Sequence, residues 1–146
     1  MEQHYYKLPL NFESLITKNK ELEPSSKGES IAANVYLIIT SKFGENRFDE
    51  TYGCEIWDFD FVNVSSKTHW KSAIIKSIEN SISRHEPRLM NVKVNMDVYE
   101  VDVNNISSNV VNVKRAVKIS IQANLTDTNE PFTFVQKMFL SPLSFE

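Results

Sequence analysis

Between Lys67 and Arg84, the residues Trp70, Ala73, Ile74, Ser77, Ile78, Ser81 and Ile82 recur at intervals of three and four. That spacing predicts one buried face of an α-helix. Lys67, Lys71, Lys76, Glu79, Asn80, Ser83 and Arg84 supply its wet side. The helix stops at His85-Glu86-Pro87-Arg88, because Pro87 lacks an amide donor and its ring pushes Glu86 out of the α region. From Met90 the period drops to two. Met90, Val92, Val94, Met96 and Val98 point one way and Asn91, Lys93, Asn95 and Asp97 the other. Near Tyr99-Glu100 the phase changes so that Val101 and Val103 take over the apolar face, which predicts a bulge there. Residues 104–109 read as a turn. Val111, Val113, Val117, Ile119, Ile121, Ala123 and Leu125 then alternate with polar residues, interrupted only around Arg115 and Ala116. This is a second strand, followed by a turn at Thr126–Pro131 and a third strand over Phe132–Leu140.

The first half of the chain is less regular. Ser26 and Glu29 fit a capping box that opens a helix running to about Thr40, with Ile31, Val35, Ile38 and Ile39 inward and Tyr36 near the border. Ile31–Ile39 is apolar except for Asn34, so most of that helix should be covered, with the Asn34 amide satisfied by a nearby loop backbone. Residues 41–61 form a long irregular stretch whose aromatics (Phe43, Phe48, Tyr52, Trp57, Phe59, Phe61) predict packing against the body. Gly44 and Gly53 mark backbone positions with positive φ or close approach. Ser65 or Ser66 is positioned to cap the next helix. Ahead of all this, Tyr5–Leu10 reads as an extended arm, Phe12, Leu15 and Ile16 as a helical turn, and residues 18–26 as a polar connector. The predicted organisation is an N-terminal arm (1–25) and a single α+β domain (26–146). Its core is a three-stranded antiparallel sheet packed on one face by about two to three helices.

Composition narrows the function classes. With 41% hydrophobic and 24% charged residues, the chain reads as soluble and globular. A net charge of −3, with basic residues scattered, gives no groove for nucleic acid. No apolar run suits a spanning helix, the first residues lack a signal-peptide layout, and Cys54 stands alone, so a cytoplasmic location is expected. Catalytic patterns are missing. His4, His69 and His85 share no ligand spacing, and Cys54 has neither a zinc partner nor a nucleophile context, so no metal, cofactor or catalytic residue is assigned. Glu55, Asp58, Asp60 and Glu86 are the carboxylates a glycosidase would recruit, but nothing in the sequence singles out a pair. At the corner itself, position alone supports a structural reading: Arg84 complements the helix C-terminal dipole and Glu86 pairs with a nearby lysine.

Four pieces in register add a family resemblance. Ser30-Ile31 with Asn34-Val35-Tyr36-Leu37-Ile38-Ile39-Thr40, then Gly44-Glu45, Tyr52-Gly53 and Glu86-Pro87-Arg88, resembles the phage baseplate-wedge family that includes TssE of type VI secretion, across about residues 30–103. Two positions depart from it. Asn46 stands where the family has Arg, which comes one residue late as Arg47, and Glu50 stands where the family has Pro. The resemblance implies a non-enzymatic structural part of a contractile injection machine. It implies that Glu86, Pro87 and Arg88 bind the core bundle of other wedge proteins (TssF, TssG and TssK type). Asn34, Gly44, Glu45, Arg47, Tyr52 and Gly53 are implied as loop structure or partner contacts. It further implies contact with contractile sheath proteins through a sheet edge, and a place at the cytoplasmic face of the inner membrane. A phage tail baseplate is the alternative setting. A peptidoglycan-cleaving hydrolase is the alternative from another class.

Overall fold

The computed structural model describes residues 4–17, 21–57, 67–104 and 111–139. The cap at Ser65 or Ser66, the turn over 105–109, Phe59, Phe61 and Leu140 lie outside the described residues. In chain order the elements are β1 (Tyr5–Tyr6), α1 (Phe12–Thr17), β2 (Pro24–Ser25), α2 (Lys27–Thr40), a 3-10 turn (Glu55–Trp57), α3 (Lys67–His85), β3 (Leu89–Asn104), β4 (Val111–Leu125) and β5 (Pro131–Phe139). The last three form an antiparallel meander in the order β3-β4-β5, and the first two strands pair in a separate small ribbon. The chain is thus an α+β fold, its three-stranded sheet covered on one face by helices.

The core lies between that sheet face and α2 and α3. Ile31, Val35, Ile38 and Ile39 of α2 and Trp70, Ile74, Ile78 and Ile82 of α3 meet Leu89, Val94 and Met96 of β3 and Val117, Ile119, Ile121 and Ala123 of β4. Each fully buried side chain of this kind contributes about 1.5–3 kcal/mol. The opening of α2 is fixed as its sequence predicts. Glu29 N–H donates to Ser26 Oγ at 3.2 Å, and Ser26 N–H donates to the Glu29 carboxylate at 2.8 Å. Its outer face is less covered than its composition predicts, since Tyr36 and Leu37 are both 44% exposed.

The bulge falls elsewhere than the sequence pattern suggests. Pairing of β3 with β4 runs unbroken from Lys93↔Gln122 to Asn104↔Val111, so nothing interrupts the ladder at Tyr99-Glu100. The register shifts instead between Met90 and Lys93, where Asn91 adopts φ 54°. Asn tolerates this left-handed conformation better than most residues with a Cβ. The extra residue puts Leu89 on the core face in one phase and Val94 and Met96 there in the other, which strict alternation cannot do. Met90, expected on the core face, is on the far side of this irregularity and only half-buried.

The stretch after α2 is compact and pinned at both ends. Cys54 N–H donates to Ser41 O at 3.0 Å, and Gly44 N–H to Glu50 O at 2.9 Å. Trp57 Nε1–H donates to Ile39 O at 2.9 Å, and Glu55 N–H to Ser77 Oγ at 3.1 Å. Among the described aromatics of this stretch Phe48 departs furthest from the expected packing: it is 99% exposed at the tip of the loop, because the turn that Gly44 closes onto Glu50 carries it away from both helices. Gly53 has φ 117°, and a Cβ there would lie 2.6 Å from Ser41 O. Both the torsion and the close approach require glycine. Gly53→Ala should therefore cost about 2–4 kcal/mol, read as a lowered urea midpoint with an unchanged slope.

Candidate functional site

The corner between α3 and β3 is where residues far apart in sequence converge. The chain leaves α3 through Glu86, whose amide still donates to Ile82 O at 2.8 Å, and Leu89 N–H donates to Glu86 O at 3.1 Å. This tight turn swings the Glu86 side chain inward, where it is 1% exposed. Arg88 folds back over it. Its Nε–H donates to Glu86 Oε1 at 2.7 Å, its Nη2 to Oε2 at 2.6 Å, and its backbone N–H to Oε1 at 3.2 Å. The two charges thus form a bidentate, charge-assisted pair.

Neighbouring elements complete the network. Asn34 of α2 donates through Nδ2 to Glu86 Oε2 at 3.0 Å and to His85 O at 3.1 Å, and its Oδ1 accepts from the Tyr52 hydroxyl at 2.9 Å. Arg88 Nη1 donates to Ser30 Oγ at 3.0 Å, and the Tyr5 ring of the arm lies 5.5 Å from the guanidinium carbon. From the sheet side, the Thr126 amide donates to Arg88 O at 2.9 Å and the Thr126 hydroxyl to Pro87 O at 3.0 Å. Lys27 and Asp127 add an ion pair between α2 and the β4–β5 turn. Tyr52 packs edge-on against His85 with centroids 5.2 Å apart, and His85 in turn faces Asp49 and Thr51 of the loop.

The electrostatics follow from this geometry. Burial opposes ionisation of Glu86, but hydrogen bonds from Arg88 and Asn34 and the Arg88 charge outweigh it, so its pKa lies below the usual 4.5. The hydrogen bond to Glu86 pushes the Arg88 guanidinium further up from its already high value. Tyr52 is raised by burial and by the Glu86 charge. Such a carboxylate is ionised, enclosed and fully engaged, the opposite of a glycosidase general acid.

The structure thus brings Asn34, Tyr52, Glu86 and Arg88 into one network, with Pro87 exposed at its apex. The lysine partner expected for Glu86 gives way to Arg88, because the tight turn places residue 88 directly over the carboxylate. The remaining predicted residues stand apart. Gly44, with φ 78°, and Glu45, whose carboxylate accepts from Lys42 N–H at 2.9 Å, shape the loop. Gly53 permits its close approach to Ser41. Arg47 is exposed and pairs with none of the described residues. Asp58 and Asp60 lie outside the described residues. Thr126 and Tyr5 are members of the network that sequence reasoning missed, and Ser30, part of the family resemblance, carries no assigned role there. Ser30 lies one turn before Asn34 on α2, the only local hint that it shares the same face.

Residues 25–130 match the family model described as baseplate wedge protein gp25. The chain belongs to the gp25 baseplate wedge family. It is 31% identical over 78 residues to baseplate wedge protein gp25 of Enterobacteria phage T4, a match that covers 53% of this chain and 58% of that protein. The chain therefore matches a little over half the length of that curated relative. A solved structure from Geobacter sulfurreducens, described as a candidate tail lysozyme, superposes with a TM-score of 0.56 at 22% identity, covering 82% of this chain and 96% of that one. At that identity the likeness is one of fold.

Two outcomes test the network of this gp25-family corner. Arg88→Ala should destabilise the protein by about 3–5 kcal/mol, because it strands a buried carboxylate, whereas the Glu86→Gln/Arg88→Met double variant should cost less than half of that. Urea unfolding of the two variants checks the difference. The pH dependence follows from the depressed Glu86 pKa. Its contribution is fully present above the unfolded value near 4.5 and is lost as pH falls through the lower folded value. Below pH 4.5, Glu86→Gln should show a shallower fall of melting temperature than wild type.

Proposed function

We propose that this gp25-family chain is a non-enzymatic structural component of the baseplate of a contractile injection apparatus. In this reading the Glu86-Pro87-Arg88 corner docks against a helical bundle formed by other wedge proteins. The observation that carries it is the convergence of Asn34, Tyr52, Glu86 and Arg88 on one braced corner with Pro87 at its exposed apex. A docking surface gains affinity when its shape is fixed beforehand, because less ordering entropy is lost on binding. Here Glu86 acts from beneath: it is buried, so it positions Arg88, and a partner meets Pro87 and the exposed part of the Arg88 side chain.

Contact with sheath proteins through a sheet edge has support of the same kind. The β3 edge is partly closed, since Val94 N–H donates to the Glu79 carboxylate of α3 at 2.9 Å. Among the described residues β5 has no strand on its outer side, so its backbone groups are available for strand addition. Type VI secretion, with the chain in the place of TssE and partners of TssF, TssG and TssK type, is one setting. The match to the phage T4 protein favours a phage tail as the second. In the first setting the chain works in the cytoplasm, at the baseplate. A peptidoglycan hydrolase finds little support in a Glu86 that is enclosed and ionised.

The test is a pull-down of tagged wild type and the Glu86→Gln/Arg88→Met variant from cells of the source organism, read by mass spectrometry. Circular dichroism confirms that the variant folds. Wild type is expected to bring down wedge and sheath proteins, and the variant to lose the wedge proteins selectively. Equal recovery by both moves docking away from the corner. The identity of the recovered proteins distinguishes secretion system from phage tail.

A further inference from the structure

A second feature lies away from the corner, on the other flank of the loop. The C-terminal half of α3 and the loop enclose an open groove of about 380 Å³, bounded by Phe43, Glu50, Glu55, Ser77, Ser81 and Arg84. Ser77, Ser81 and Arg84 lie along one face of α3 at successive turns. Ser81 is only 5% exposed, yet among the described residues its hydroxyl has no hydrogen-bond partner. A helical serine ordinarily returns its hydroxyl to a carbonyl one turn back. Here the group pays desolvation with no return, which makes it an orphan awaiting a partner.

The charges around the groove are similarly incomplete. Neither the Glu50 nor the Glu55 carboxylate makes an ion pair or accepts a hydrogen bond among the described residues. Beside the groove, the Thr51 hydroxyl and amide hold Asp49 below the usual aspartate range, with the nearby His85 and Arg84 adding to the effect. Among the described residues that line the groove, the Glu50 and Glu55 carboxylates outnumber the one permanent cation, Arg84. The walls are fixed in advance, because Glu55 N–H is tied to Ser77 Oγ at 3.1 Å and His85 Nε2 lies 3.0 Å from Thr51 O.

We propose that this groove is a socket for an arginine side chain presented by a partner protein. Two unpaired carboxylates suit the planar fork of a guanidinium, and the orphan Ser81 oxygen accepts a further N–H. The Phe43 ring gives the plane a face to stack on, which an ammonium would use less well. That the partner is another baseplate protein rests on the function proposed above. The socket itself does not, and the test is chosen to keep the two apart.

The full chain, labelled with ¹⁵N, is titrated with N-acetyl-arginine amide and, in parallel, with the uncharged isostere N-acetyl-citrulline amide. Saturable shifts are expected at the amides of Glu55, Ser77 and Ser81, with millimolar affinity and at least about tenfold preference for the arginine probe. The Glu50→Gln/Glu55→Gln variant, shown to be folded by its own spectrum, should lose about tenfold or more in affinity, and Ser81→Ala should weaken binding as well. Absence of saturable shifts at these residues, equal binding of the citrulline probe, or undiminished binding by the two variants would each overturn the proposal. None of these outcomes depends on baseplate partners, so failure here leaves the corner reading standing, and failure of the pull-down leaves the socket standing.

Discussion

Everything near the helix-to-strand corner depends on one constraint: an ionised carboxylate has been taken almost wholly out of water. Left alone, Glu86 would cost several kcal/mol or take up a proton. The fold avoids this by surrounding it with donors from the corner itself and from α2. Those donors are in turn held by others. Asn34 is fixed by Tyr52 of the loop, and Arg88 by Ser30 of α2. The position of the loop, the pitch of α2 against α3 and the start of β3 are therefore coupled through two oxygen atoms. A buried pair of this kind is weak evidence for added stability, since an apolar replacement can do as well. What it supplies here is a single allowed arrangement of three segments that packing alone leaves freer to slide. That specificity role fits the location, where an exposed proline must point one way.

The helices, the sheet and the capping box were legible because each is a local periodicity read out by one buried face. Ile74, Ile78 and Ile82 sit inside for the reason their spacing suggests, and so do Val117, Ile119 and Ile121. The bulge was misplaced because its signature is a backbone torsion at Asn91, and the sequence around it keeps alternating as though nothing had happened. Tyr99 then looked like the break in phase, but it lies on the open face of the sheet beside Ala116 and is a regular member of the ladder. Phe48 was expected to pack because aromatic residues usually do. It is exposed because a short turn has a tip, and composition does not say which residue will occupy it.

The candidate site was legible in a different manner. Asn34 and Glu86 are separated by about fifty residues, and no spacing rule joins them; only the resemblance to a known family put them on one page. Even then the roles within Glu86-Pro87-Arg88 were not visible. Sequence places a carboxylate and a guanidinium two residues apart on a turn, and both readings, outward or inward, satisfy that. Desolvation decides between them. Once the turn at Pro87 brings Arg88 over Glu86, the pair can be buried at tolerable cost, and Thr126 from the β4–β5 turn closes the other side. Ser30, one turn before Asn34 on α2, and Tyr5 of the arm complete the shell.

The inward arrangement also changes what docking at this corner can mean. A guanidinium has five donors, and here Nε, Nη1 and Nη2 are already committed to Glu86 and Ser30, with Tyr5 against its face. Arg88 thus has little left to offer a partner as a free fork, and breaking its internal bonds to gain external ones would return the burial cost of Glu86. The affordable contact is with what the network leaves outside: the Pro87 ring, the exposed portion of the Arg88 side chain and its remaining donors. Substituting any one member of the network would therefore disturb docking through geometry as well as through charge. The double replacement separates these, because it removes both charges while leaving Pro87 and the turn in the chain.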